Sequence, residues 1–217
     1  MGTKKKMRRT LSVSNLYAKK FKTLQLSGGI FGDVLTGAPS AGSWLIYGKE
    51  KNGKTTLSLM LADYLSRTNK VLYLQIEEGL GHTIQEPFIE AMKRVGISPS
   101  NRSLQILGDI ELSELRERLL TRRSPDIIFI DNVTVCDWLK NGGARKLMRE
   151  FNKKIFIFIA HEDDNGDPFG ATAKMIKKLS IPIFHVDGLR CLVSGRCVKG
   201  GNIVIDLHKS QLIHGNQ

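Results

Sequence analysis

Gly48-Lys49-Glu50-Lys51-Asn52-Gly53-Lys54-Thr55 stands between a short apolar run, SWLIY at 43–47, and a segment at 55–66 whose Leu57, Leu61, Tyr64 and Leu65 recur at helical spacing. The octet fits G-x-x-x-x-G-K-[ST] in the strand-to-helix setting that such a loop requires. An anion is held there by backbone N–H groups that converge on it. Glycine at 48 and 53 permits the turn without a Cβ clash, and the helix beginning near Lys54 adds its positive end. Lys54 is expected to reach the β- and γ-phosphates of a nucleotide, and the Thr55 hydroxyl to ligate Mg²⁺. Lys49, Glu50, Lys51, Asn52 and Thr56 complete the expected nucleotide contacts. A chance glycine-rich turn is the competing reading, which the flanking strand and helix oppose.

The chain alternates outward from this loop. VLYLQI (71–76), IIFI (127–130) and IFIFIA (155–160) are apolar on both faces, as strands covered by helices on each side must be. Helices are expected at 83–95, closed by Gly96, along the stripe of Leu112, Leu115 and Leu119, and through Ala144, Leu147, Met148 and Phe151. A short strand is expected at 103–107. An α/β fold with a mostly parallel sheet follows. After a helix at 171–179, the segments IPIFHV, RCLVS and NIVIDL are joined by glycine-containing turns so short that the strands must be antiparallel.

Three further positions carry chemistry. Asp131 ends the IIFI strand, where a carboxylate can help hold the metal of a bound nucleotide; capping the next helix is the plainer role. Glu77 and Glu78 follow VLYLQI at the carboxyl end of a parallel strand, where one of them can activate water; alternation selects one, and Glu77 is preferred. His161, after IFIFIA, is a candidate γ-phosphate sensor or a histidine that satisfies loop backbone.

Composition sets the outer bounds. The 217 residues, 41% hydrophobic and 25% charged, suit one globular domain with a tail. Lysine and arginine number 33 against 21 acidic residues, a formal charge of +12. Residues 1–22 hold eight of the basic side chains, including Lys4, Lys5, Lys6, Arg8 and Arg9, and no acid, so most of the excess lies in an arm. Such an arm can be a solvated tail, can lie along DNA phosphates, or can order on a neighbouring subunit. The expected organisation is an arm at 1–25, a core at 26–209 and a tail at 210–217. Three cysteines with no CxxC pair favour a reducing, cytoplasmic setting. No apolar run approaches the roughly 20 residues of a membrane span, and the basic amino terminus lacks the apolar stretch of a signal peptide.

The order of parts resembles the RecA-type ATPase superfamily, which includes recombinases, DnaB-type helicases and KaiC-like proteins. The likeness runs from about Phe31 to Asp206, with Gly32 to Gly42 similar to the family's lead-in to the phosphate-loop strand. It implies a three-layer RecA-like P-loop core, and a sheet in which the His161 strand lies between the phosphate-loop strand and the Asp131 strand. It also implies a catalytic glutamate after VLYLQI. The late segment 193–201 is similar to the DnaB-type lysine-x-arginine ending, which makes Arg196 a candidate arginine finger acting on a neighbour's nucleotide. A solvated hairpin arginine is the alternative, and Ser194 stands where the family has its lysine. In recombinases the loop after the sensor strand contacts DNA; here 161–170 carries Glu162, Asp163, Asp164 and Asp167, which would repel phosphates. DNA contact is therefore expected from the arm or from Lys174, Lys177 and Lys178.

These readings converge on a Mg²⁺-dependent ATPase that forms a homo-oligomer, acts on DNA and has no membrane association. A KaiC-like nucleotide-dependent switch without DNA is the alternative, and small-molecule phosphotransfer a third class.

Overall fold

The computed structural model describes residues 10–76 and 82–214. The apolar runs form β1 (Gly42–Gly48), β2 (Val71–Gln75), β3 (Leu104–Leu107), β4 (Ile127–Asp131) and β5 (Ile155–His161). The late segments form β6 (Ser180–Asp187), β7 (Arg190–Ser194) and β8 (Gly201–Val204). These eight strands make one sheet in the order β3-β2-β4-β5-β1-β6-β7-β8.

Strict alternation sorts the strand side chains. Trp44, Ile46, Tyr73, Phe129 and Ile157 face one cluster, while Leu45, Leu72, Ile128, Ile130 and Phe158 face the other. The first face is covered by α2 (Ile30–Val34), α3 (Lys54–Ser66) and α4 (His82–Arg94), through residues such as Phe31, Leu57, Leu61 and Phe88. The second is covered by α5 (Leu112–Leu120), α6 (Gly143–Glu150) and α7 (Gly170–Leu179), through Leu115, Leu119, Leu147 and Ile176. Three layers result, because strands this apolar on both faces need a helix layer on each.

The expected strand order holds: β5 lies between β1 and β4, parallel to both. The late strands pair antiparallel with one another, as expected. β6 joins β1 in parallel after the α7 crossover, and the antiparallel pairing begins only at β7. Pro182 has no N–H to give, and the β1–β6 register slips where it lies, between the pairs Ser43–Ser180 and Leu45–Ile183.

The run NIVIDL also ends earlier than its apolar pattern suggests. Asp206 caps α8 (Leu207–His214), its carboxylate accepting from Lys209 N at 3.1 Å and its carbonyl from Ser210 N at 2.9 Å. The boundary expected at 209/210 thus falls inside a helix whose Ser210 is fully buried and receives a hydrogen bond from Arg190 Nε at 2.8 Å. At the other end, α1 (Val13–Ala18) buries no residue, whereas residues 22–24 run along 38–40 with Leu24 N donating to Ala38 O. Among the described residues no helix is long and apolar enough to cross a membrane.

Candidate nucleotide site

The phosphate loop leaves β1 at Gly48 and enters α3 at Lys54. Lys51, with φ 59°, and Gly53, with φ 99°, are both left-handed, which folds the intervening backbone into a concave bend. For a lysine that conformation costs about 1–2 kcal/mol, a strain concentrated where a function would need it. Glu50 and Lys51 form a turn between Lys49 and Asn52, and among the described residues no main-chain carbonyl accepts from the N–H groups of Glu50, Lys51, Gly53 or Thr55. The bend therefore remains able to receive an anion.

Both glycines are fixed by their surroundings. A Cβ on Gly53 would meet Leu189 Cδ2 at 2.7 Å, and one on Gly48 would lie 2.1 Å from the Val186 carbonyl oxygen of β6. The second neighbour is backbone within the sheet and cannot step aside. Gly48→Ala is expected to destabilise the fold by about 1–3 kcal/mol, visible as a lower denaturant midpoint at unchanged m-value.

A cavity of about 450 Å³ opens in front of the loop, within the range of small-ligand sites. Glu50, Lys51, Gly53, Lys54, Thr55 and Thr56 line it, and so do Asp131 and His161. Gly48, Lys49 and Asn52 are not among its lining residues. The Gly48 carbonyl accepts from Glu162 N at 3.1 Å and the Asn52 carbonyl from Leu189 N at 3.2 Å. Lys54 is buried, and its ammonium donates to the Lys49 carbonyl at 2.7 Å, folded along the loop. His161 is in direct register with Gly48, so the candidate sensor and the first glycine of the loop end neighbouring strands side by side.

Asp131 is 5% exposed on the α3 side of the sheet. Its Oδ2 accepts from the Tyr73 hydroxyl at 2.8 Å; that hydroxyl lies 2.7 Å from Ser58 Oγ, which donates to the Thr55 carbonyl at 2.9 Å. Sequence reasoning missed Tyr73 and Ser58. The signal was the polar tip of a tyrosine inside an otherwise aliphatic strand, which must find a partner when buried.

The donor set suits magnesium. Mg²⁺ is usually held by one or two protein oxygens together with substrate phosphates, not by an all-protein cage, and the Thr55 hydroxyl and Asp131 carboxylate border one cavity. Among the described residues no cluster of three acidic, histidine or cysteine side chains offers such a cage.

The remaining expected site residues lie elsewhere. Glu77 and Glu78 are outside the described residues, as are Lys4, Lys5, Lys6, Arg8 and Arg9. Arg196 is exposed in the β7–β8 turn. The ladder pairs Ser194 with Ile183, level with Leu45 in mid-β1, and Gly195 beyond it lies by Ile181 and Pro182 toward the amino end of β6, whereas Gly48 lies level with Val186 and Cys191. Within one chain, Arg196 and the phosphate loop stand at opposite ends of the sheet. Burial pushes the thiols of Cys136 and Cys191 up to about 12, which makes neither a nucleophile.

The acidic loop carries ion pairs. Lys174 holds Asp163 at 2.8 Å and Lys177 holds Asp167 at 2.8 Å, which keeps both carboxyls below the usual carboxylate range, and Glu162 pairs with His185 at 2.7 Å. Three of its four acids are thus engaged within the chain, which removes much of the expected repulsion. The same pairs occupy two of the lysines expected to be available to DNA.

No family model matches the sequence, and no curated protein does. A search of solved structures finds the crystal structure of the flagellar accessory protein FlaH from Methanocaldococcus jannaschii at a TM-score of 0.53 and 17% identity, covering 81% of this chain and 87% of that one. The fold is a RecA-like α/β core. At this identity the likeness speaks for the architecture alone, and the chemistry must be argued from the site.

Proposed function

We propose that this chain binds ATP with Mg²⁺ and hydrolyses it. The observation that carries the reading is the meeting of Lys54, Thr55, Asp131 and His161, from three different elements, on one cavity in front of an anion-ready bend. In that cavity the bend and the α3 amino end hold the phosphates, and Lys54 swings from the Lys49 carbonyl to the β- and γ-oxygens. Thr55 and Asp131 hold the metal, which when bound neutralises charge on the phosphates. Glu77 takes the proton of the attacking water, and His161 reports the γ-phosphate.

The finer reading is a homo-oligomer acting on DNA, with Arg196 completing the site of an adjacent copy and the basic arm lying on phosphates. Two observations support it. Arg196 is exposed and remote from its own loop, as a residue acting between copies must be. A second cavity of about 700 Å³ lies beside the acidic loop and is lined by Lys140, Arg145, Phe169 and the start of α7. It borders a third cavity that shares His161 and Glu50 with the nucleotide site. That third cavity, lined also by Glu162, Asp163 and Asp164, separates the second from the nucleotide site.

The test is the ATPase rate with and without single-stranded DNA at rising salt, on the full chain and on one lacking residues 2–22. Stimulation that fades with salt is expected, because phosphate contacts release counterions. Deletion of the arm should flatten the plot of log affinity against log salt by up to about 6, near 0.7 for each DNA phosphate that the arm's eight basic side chains no longer neutralise. Affinity that survives deletion intact would remove the arm from the interface. Turnover indifferent to DNA at every salt concentration would favour a nucleotide-controlled assembly switch.

A further inference from the structure

We infer that Tyr73 is a positioning residue for the metal-side carboxylate, its hydroxyl fixing Asp131 relative to the helix that carries Thr55. The inference rests on the nucleotide reading above and deepens it.

Tyr73 lies mid-strand in β2, fully buried, opposite Phe129 of β4. Asp131 is two residues further along β4 and therefore on the same face of the sheet. The tyrosine ring stacks on Phe129 at 5.3 Å between centroids and 15° between planes, an arrangement that aims the hydroxyl toward the carboxyl end of the sheet.

There it meets Asp131 Oδ2 at 2.8 Å and Ser58 Oγ at 2.7 Å. The proton count gives the contacts a direction. An ionised carboxylate only accepts, so the phenol proton goes to Asp131 and the serine proton to the Thr55 carbonyl or the phenol oxygen. The phenol is thus tied to Asp131, and Ser58 ties it to α3 when the serine proton turns from the Thr55 carbonyl to the phenol oxygen. These contacts relate the Asp131 carboxylate to the first turn of α3, whose Thr55 supplies the other proposed oxygen donor through its hydroxyl. A phenylalanine would keep the stacking and the packing at position 73 and remove only this link, so packing alone does not account for the hydroxyl.

A partner that orients a metal-side ligand typically contributes 10- to 100-fold to metal affinity. The test measures a fluorescent ATP analogue binding to wild type and to Tyr73→Phe, each with Mg²⁺ and with EDTA, alongside a Mn²⁺ titration of the nucleotide complex read by electron paramagnetic resonance. The expected result is metal-free nucleotide affinity within about twofold of wild type and Mn²⁺ affinity about 10- to 100-fold weaker.

A second measurement leaves the side chain in place. Labelling with 3-fluorotyrosine gives resonances for the four tyrosines, and that of Tyr73, assigned by single replacement of the other three, should move when Mg²⁺ joins bound nucleotide and stay still when nucleotide binds in EDTA. Mn²⁺ affinity unchanged in a folded Tyr73→Phe variant, or a Tyr73 resonance indifferent to the metal, would overturn the inference. Wild type that binds no nucleotide in either buffer would instead overturn the nucleotide site itself, so the two failures are distinct.

Discussion

Lys54→Ala lowers ATP turnover by at least about 100-fold, the scale on which removing one preorganised charge donor acts at a phosphoryl or oxyanion site. The reason lies in what the ammonium does before and after ligand arrives. The residue is buried and its ammonium donates to the Lys49 carbonyl at 2.7 Å, so it is held against the bend and needs only to exchange one oxygen for another. Such a donor contributes strongly because little side-chain freedom remains to be given up on binding. Alanine removes that charge and leaves the concave backbone in place. The variant is expected to retain its thermal midpoint and to bind ATP weakly, with the loss largest for the triphosphate and least for adenosine. Equal turnover in variant and wild type would show that this bend is not where the phosphates lie.

Glu77→Gln separates binding from chemistry. The amide keeps the volume of the side chain but cannot take a proton, so ATP affinity should stay within about twofold while turnover falls by about 10²- to 10⁴-fold, the usual contribution of a positioned general base. Ile76, its neighbour in sequence, donates its N–H to the Asp131 carbonyl at 2.5 Å, so β2 ends beside the strand that brings Asp131 to the cavity. Normal hydrolysis by the variant would remove Glu77 from the mechanism, and the same substitution at Glu78 then becomes the measurement of interest.

The parallel body of the sheet was legible because its code is redundant. VLYLQI, IIFI and IFIFIA repeat one message, and the glycines at 48 and 53 mark one turn. Lys54, Thr55, Asp131 and His161 could be named from position alone, since the carboxyl ends of parallel strands necessarily share one edge. Other features depend on distances that a linear pattern does not hold. The pairing of Asp163 with Lys174 follows from how α7 leaves its loop, and the meeting of Tyr73 with Ser58 follows from the spacing between α3 and β2. The helix after Asp206 was hidden because the aspartate closed an apolar run and so read as part of the strand.

The rear of the phosphate loop is built by residues far along the chain: Asn52 Nδ2 donates to Asp187 Oδ1 across 135 positions of sequence, and the Leu189 N–H holds the Asn52 carbonyl. During synthesis the loop leaves the ribosome long before this support does. The nascent polypeptide therefore displays its glycine-lysine bend before the β6–β7 hairpin that buttresses it has emerged.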